Sequence, residues 1–275
     1  MCLYNKKREN SIQKIHLCHM NTRQQHILAA VVKEYTETAL PVGSGVLAKN
    51  YFPDISSATI RGILSDLEEE GFLYQPHISS GRIPTDKGYR FFVEEIMEDR
   101  ELSRDEQRSL QKELLELRAK NVRLSRTTAK LLSALSGNVG LSGVVTDEKE
   151  EFYEFGLPKL LEEAAEHGQM DEICRLAEVL DFIDEKVDVL LKDMKDGETK
   201  IFIGKENPIR EISGYSMVVS PYTSREGDRG VLALIGPKRM EYAKNKSLID
   251  YVKKLLSSSK IIVVTLGSGS VFVLM

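Results

Sequence analysis

Apolar residues between Arg23 and Leu67 recur at helical spacing in three separate runs. Ile27, Leu28, Val31, Val32 and Tyr35 form one face, with Asn21 or Thr22 as the N-cap and a break at Pro41 and Gly43. Ser44 caps a second, short helix through Leu47 and Ala48, and Tyr51-Phe52-Pro53 turns the chain because proline disfavours a helical residue before it. The third run starts at Ser56 or Ser57 and sends Ile60, Ile63, Leu64 and Leu67 inward. Gly71 supplies its left-handed stop. The period then shortens. Leu73 to His77 and Arg82 to Pro84 read as hairpin strands, with Ser79-Ser80-Gly81 at the tip and Gly81 present for a backbone angle other residues resist. Thr85 and Asp86 open a fourth helix carrying Tyr89, Phe92, Val93 and Ile96.

From Leu102 to Leu135 the pattern is that of one long charged helix. Leu110, Leu114, Leu117, Asn121, Leu124, Thr128, Leu131 and Leu135 alternate steps of four and three, a heptad seam with two polar interruptions. Two readings stand: a helix packed on its own chain, or a dimer coiled coil in which Asn121 helps to fix register. Gly137 to Thr146 reads as a short strand region, and Leu157 to Met194 as helix broken near Gly168. Strand-like runs follow at Lys200 to Gly204, Tyr215 to Pro221 and Gly230 to Ile235, then a helix from Glu241 to Leu256. Lys260 to Met275 reads as two short strands around Gly267 and Gly269. The class is α+β. The expected divisions are an extension over 1–19, a module over 20–100, the long helix over 101–136, an α+β domain over 137–256 and an apolar tail over 257–275. Met20, followed at once by a cap, is the candidate start.

Three helices, a hairpin and a further helix are the order of parts in a winged helix-turn-helix, so the chain is expected to bind double-stranded DNA. A net charge of −4 does not advertise this, so affinity must come from local placement of charge. Ser56, Ser57, Thr59 and Arg61 occupy the first turn of the recognition helix, where helix N–H groups favour phosphate and an arginine fork matches guanine. Ser44 stands at the start of the preceding helix. The hairpin offers His77, Ser79, Ser80 and Arg82, with Arg82 as a phosphate or minor-groove contact and His77 as a hydrogen-bonding turn residue. Lys87 and Arg90 extend the basic patch. Glu68-Glu69-Glu70 should point away from a duplex, and nothing in the sequence explains acids at a helix's carboxyl end.

Cys2, Cys18 and Cys174 are scattered, with no metal spacing, and read as reduced thiols. No Walker loop, HExxH or paired-cysteine site occurs, so neither enzyme activity nor a cofactor or metal is expected. No early segment has the form of a signal peptide and no apolar run would span a bilayer, so no membrane partner and a cytoplasmic location are expected.

The stretches RQQHIL, YTETALPVGSGVLA, SSATIR and DLEEEGFLYQPHISSGRIPTDKGYR, with IGKEN and GPKRMEY downstream, resemble HrcA, the heat-inducible transcription repressor family of bacteria. The match is near-continuous from Arg23 to Met97 and patchier from about Gly156 to Leu256. The resemblance implies a homodimer that binds the inverted-repeat operator called CIRCE upstream of chaperone operons and blocks transcription. It also implies a chaperonin that keeps the repressor active, and a GAF-like C-terminal part carrying an inserted dimerisation domain. Two departures stand out. Gly62 replaces the family's usual asparagine. The stretch from Leu135 to Phe155 is too short for the family's first GAF strands plus the insert, which implies a truncated domain. The heptad leucines Leu110, Leu114, Leu117, Leu124, Leu131 and Leu135, with Asn121, would then carry dimerisation. Two other readings remain: a ligand-sensing winged-helix regulator, and a chaperonin-binding module whose DNA binding has decayed.

Overall fold

The computed structural model describes residues 20–274 apart from 120–123, 146–149, 168–169, 182–185, 187–188, 192–193, 225–226, 258–261 and 267–269. Residues 1–19, read above as an extension, lie outside the described residues. The chain is α+β and divides into two compact units, one ending at Glu98 and one beginning at Asp99. Among the described residues no helix is long and apolar enough to cross a membrane.

The first unit opens with α1, Thr22–Thr38. Asn21 is the cap: its side chain accepts from the Gln24 N–H at 2.9 Å, and the Gln24 side chain accepts from the Asn21 N–H at 3.0 Å. The face made by Ile27, Leu28, Val31 and Val32 is buried. Helix α2, Ser44–Asn50, is capped by Gly43 rather than by Ser44, which is itself the first helical residue and is buried. The Tyr51 hydroxyl donates to Glu34 at 2.9 Å, and burial with that bond pushes the phenol up to about 12. Helix α3, Ser57–Glu69, buries Ile60, Leu64 and Leu67, and Gly71 follows with φ 77°.

The hairpin strands β1, Leu73–Tyr74, and β2, Ile83–Pro84, pair antiparallel, and Val42 adds a bridge to Arg82 on their outer side. They are shorter than the alternation predicts. Pro76 has no N–H to offer a ladder, so the tip is closed by one backbone bond, from the Ser80 N–H to the His77 carbonyl at 2.9 Å, together with side-chain bonds. Helix α4, Asp86–Phe91, is capped by Thr85 and runs into a π turn over Phe92–Ile96.

In the second unit the predicted long helix is two helices, α5, Arg104–Ala119, and α6, Leu124–Ser136. Five antiparallel strands follow a β4-β3-β7-β6-β5 order: β3 Val139–Val145, β4 Glu150–Phe155, β5 Lys200–Ile203, β6 Tyr215–Thr223 and β7 Arg229–Pro237. The stretch expected to be too short for the opening strands plus an insert holds two strands, β3 and β4. Gly143 makes this pairing tight, because a Cβ there would fall 2.0 Å from the Phe152 ring opposite. One sheet face, with Leu141, Met217, Val219, Val231 and Ala233, packs on α7, Leu157–His167, and α8, Met170–Asp181, through Leu160, Leu176 and Leu180. Helix α6 closes on the other face, where a Cβ on Gly140 would meet the Ala129 carbonyl at 2.4 Å.

Helix α9, Tyr242–Ser257, joins that layer, its Tyr242 hydroxyl 2.8 Å from Ser216. Lys246 pairs with Asp99 at 2.6 Å and holds that carboxyl below the usual range. Two of the downstream sequence motifs prove to be packing devices. Asn207 donates to the Gly204 and Tyr215 carbonyls at 2.8 Å each, and Tyr242 donates to the Lys238 carbonyl at 2.5 Å. The tail pairs β8, Ile262–Leu266, with β9, Ser270–Leu274.

The heptad seam is accounted for inside this unit. Leu110, Leu114, Thr128 and Leu131 are buried in it, and Leu124 and Leu135 are half-buried. Asn121 and the side chain of Leu117 lie outside the described residues. The coiled-coil expectation is thus corrected for the described leucines: they already face the chain's own core and present no free stripe to a second copy.

Candidate nucleic-acid interface

The first turn of α3 is where the sequence concentrates short hydroxyls. Ser56 caps the helix, its hydroxyl accepting from the Thr59 N–H at 3.1 Å and lying 2.8 Å from the Thr59 hydroxyl. That turn holds no acidic residue, so its unpaired N–H groups face solvent with a positive field. Because Ile60, Leu64 and Leu67 turn inward, Ser57, Ala58, Arg61 and Gly62 are left exposed on the opposite side. Arg61 pairs with no group among the described residues.

The other candidate cations have internal partners. Arg82 Nε donates to Glu68 Oε2 at 2.7 Å, and only 17% of the arginine side chain is exposed. Glu68 Oε1 accepts from the Gln75 N–H at 3.1 Å. One carboxylate at the end of α3 therefore holds both arms of the hairpin. Arg82 therefore braces the hairpin against α3 in this structure, and Glu68 is the glutamate of the three that turns toward the hairpin. Lys87 donates to the Glu70 carbonyl at 2.6 Å and stands 4.1 Å over the Phe72 ring, closing the carboxyl end of α3 as a cation should. Arg90 lies 3.7 Å from Glu94, one turn on.

At the tip, Gln75 Nε2 donates to the Ile78 and Ser80 carbonyls at 2.8 Å each. The Ser80 hydroxyl donates to the His77 carbonyl at 2.7 Å and accepts from the His77 N–H at 3.0 Å. Ser80 is thus internal. His77 is tied through its backbone, and it and Ser79 are exposed. Gly81 does not have a positive φ. It is required because a Cβ would fall 2.4 Å from the Val42 carbonyl carbon, at the point where Val42 and Arg82 exchange backbone hydrogen bonds of 2.9 Å.

Of the eleven candidates, Ser56, Ser57, Thr59 and Arg61 are exposed in the first turns of α3, Ser57 and Arg61 one turn apart on the same side and Thr59 with its hydroxyl 2.8 Å from that of Ser56. Ser44 is buried, and Ser80, Arg82, Lys87 and Arg90 serve the hairpin and its flanks. Sequence reasoning missed two exposed residues here. Lys49, in the last turn of α2, carries the spacing signal of a polar face. Ile78, at the hairpin tip, is 100% exposed. Among the described residues no group of His, Cys, Asp and Glu is placed to hold a metal ion.

The family profile described as HrcA protein C terminal domain matches residues 89–245. The heat-inducible transcription repressor HrcA of Thermodesulfovibrio yellowstonii is 29% identical, over 86% of this chain and 97% of its own length. That alignment runs over 338 positions, whereas 86% of this chain is about 236 residues, so roughly 100 positions of the relative have no counterpart here. The HrcA of Synechococcus elongatus is 45% identical over 123 residues, 44% of this chain and 35% of that one. Among solved structures, the crystal structure of a hypothetical protein at 2.2 Å superimposes with a TM-score of 0.64 and 22% identity, over 86% of this chain and 96% of that one, which shows a shared fold.

Proposed function

The chain belongs to the HrcA family, and on that premise we propose that it is a transcription repressor whose first unit is a winged helix-turn-helix and whose second is GAF-like. Helix α3 would be the recognition helix, with Arg61 reading a base edge and Ser57 and Thr59 bonding phosphate or base. The hairpin would be the wing, bringing His77 and Ser79 to the backbone. The observation that carries this reading is the division of cations within one unit. Arg82, Lys87 and Arg90 have internal partners, whereas Arg61 stands unpaired beside an acid-free helix N-terminus.

The operator would be an inverted repeat of the CIRCE type before chaperone operons. A homodimer would occupy it and block transcription sterically, in the cytoplasm and without catalysis. The chaperonin would act as a modulator by binding the folded repressor. A ligand-sensing role is less well supported, because the sheet face toward α7 and α8 is filled with apolar side chains. The roughly 100 positions without a counterpart favour a second reading, a chaperonin-binding module that has lost its DNA role.

Fluorescence anisotropy at fixed salt separates the two. The full repeat should bind far more tightly than a half-site or a scrambled duplex, and Arg61→Ala should cost about 1–3 kcal/mol. Equal, weak binding to all three duplexes would sink the repressor reading, and chaperonin binding in the same preparation would favour the module.

A further inference from the structure

Ile78 is fully exposed at the end of a hairpin whose arms and turn are held by Gln75, Ser80 and Arg82. A lone exposed apolar side chain is ordinary on a surface. What sets this one apart is its support. Gln75 holds the carbonyls of Ile78 and Ser80, Ser80 closes the turn on His77, and Gly81 lies against Val42. Glu68 then fixes both arms to the end of α3. None of these bonds needs an isoleucine. Its β-branched side chain is also stiff, so little freedom is lost when it is inserted into a partner.

Charge points the same way. Between Pro76 and Gly81 only His77 can carry a charge, and the hairpin's arginine is turned inward to Glu68. The tip therefore carries little positive charge and presents an apolar edge between the polar His77 and Ser79. Apolar side chains of this size enter the minor groove between base steps and loosen their stacking. Resting on the DNA-binding reading of α3, we infer that Ile78 is an apolar wedge that enters the operator's minor groove and partly unstacks one base step. The Glu68 brace joins the tip to α3, so the step it enters is set by where Arg61 docks.

The test uses the full chain with Ile78→Ser and Ile78→Leu. Each binds an inverted-repeat duplex carrying 2-aminopurine at successive positions flanking one half-site, over a series of salt concentrations. Ile78→Ser should lower affinity on the order of tenfold, since the buried side-chain area is lost. Its salt dependence should match wild type, because no phosphate contact changes. It should also abolish the rise in 2-aminopurine emission that wild type produces at one position, while Ile78→Leu keeps both affinity and signal. If Ile78→Ser matches wild type in affinity and emission while both still prefer the repeat to a scrambled duplex, the wedge is wrong and the DNA reading stands. If wild type itself binds repeat and scrambled duplex alike, the DNA reading fails and the wedge fails with it. Ile78 makes no packing contact to lose, so an unchanged thermal melt is expected for both variants.

Discussion

Gly62 and Gly81 belong to the same unit and have opposite reasons for being glycine. A Cβ on Gly62 meets nothing within 4 Å, and the residue sits mid-helix, where glycine costs about 1 kcal/mol relative to alanine. A Cβ on Gly81 would overlap the backbone of Val42, which is part of the strand bridge and has no flexible end to move aside. Gly62→Ala should therefore raise the stability of the first unit by about 1 kcal/mol. Gly81→Ala should lower it by about 3 kcal/mol through overpacking. Urea unfolding of the two variants beside wild type measures both signs at once. A Gly81→Ala protein as stable as wild type would mean that the hairpin does not press on Val42. Such a close approach has no signature in a sequence, where a glycine next to Ser-Ser looks like any turn residue. Gly71, by contrast, could be read directly, because a helix stop needs the left-handed angle that it adopts, φ 77°.

At the scale of elements, the hairpin and α3 behave as one piece through Glu68. Removing the carboxylate leaves a guanidinium that is mostly shielded and has lost its counter-charge, and removing the arginine leaves the carboxylate in the same position. Glu68→Ala and Arg82→Ala should each lower the stability of the first unit by about 2 kcal/mol, and the double variant should cost far less than their sum. A double-mutant cycle in urea checks this, and strict additivity would show that the pair contributes nothing. The same pair marks a limit of reading the sequence. Periodicity made α1, α3 and α9 legible, as did the apolar runs of β6 and β7, which are buried on both faces. Strand β4 escaped notice because Glu150, Glu151 and Glu154 break its apolar pattern, as suits an edge strand that must not pair further. The Arg82 brace was illegible for a related reason. Its partner is fourteen residues away across a chain reversal, and only the folded hairpin shows which of three successive glutamates it meets. The open face with Ser57 and Arg61 was legible because it follows from helical spacing alone.

At the scale of the whole molecule, the reading of an inverted repeat requires a surface that joins two copies. A repressor reading an inverted repeat needs two-fold symmetry, and the heptad leucines looked like its source. Their burial within the second unit gives a different expectation. Leu110 and Leu114 are 1% and 4% exposed, so truncating either creates a cavity in the chain's own core. Leu114→Ala should cost about 2–5 kcal/mol, and it should lower the melting temperature equally at every protein concentration. A seam between chains would behave otherwise. Its melting temperature would rise with concentration by mass action, and the variant would release folded monomers visible in sedimentation. Thermal melts over a concentration series, paired with sedimentation of wild type and Leu114→Ala, separate the two. If wild type is a dimer and Leu114→Ala remains one while melting lower, the pairing surface lies away from the seam. The chain must then build it without the roughly 100 positions that its longer relative has in addition.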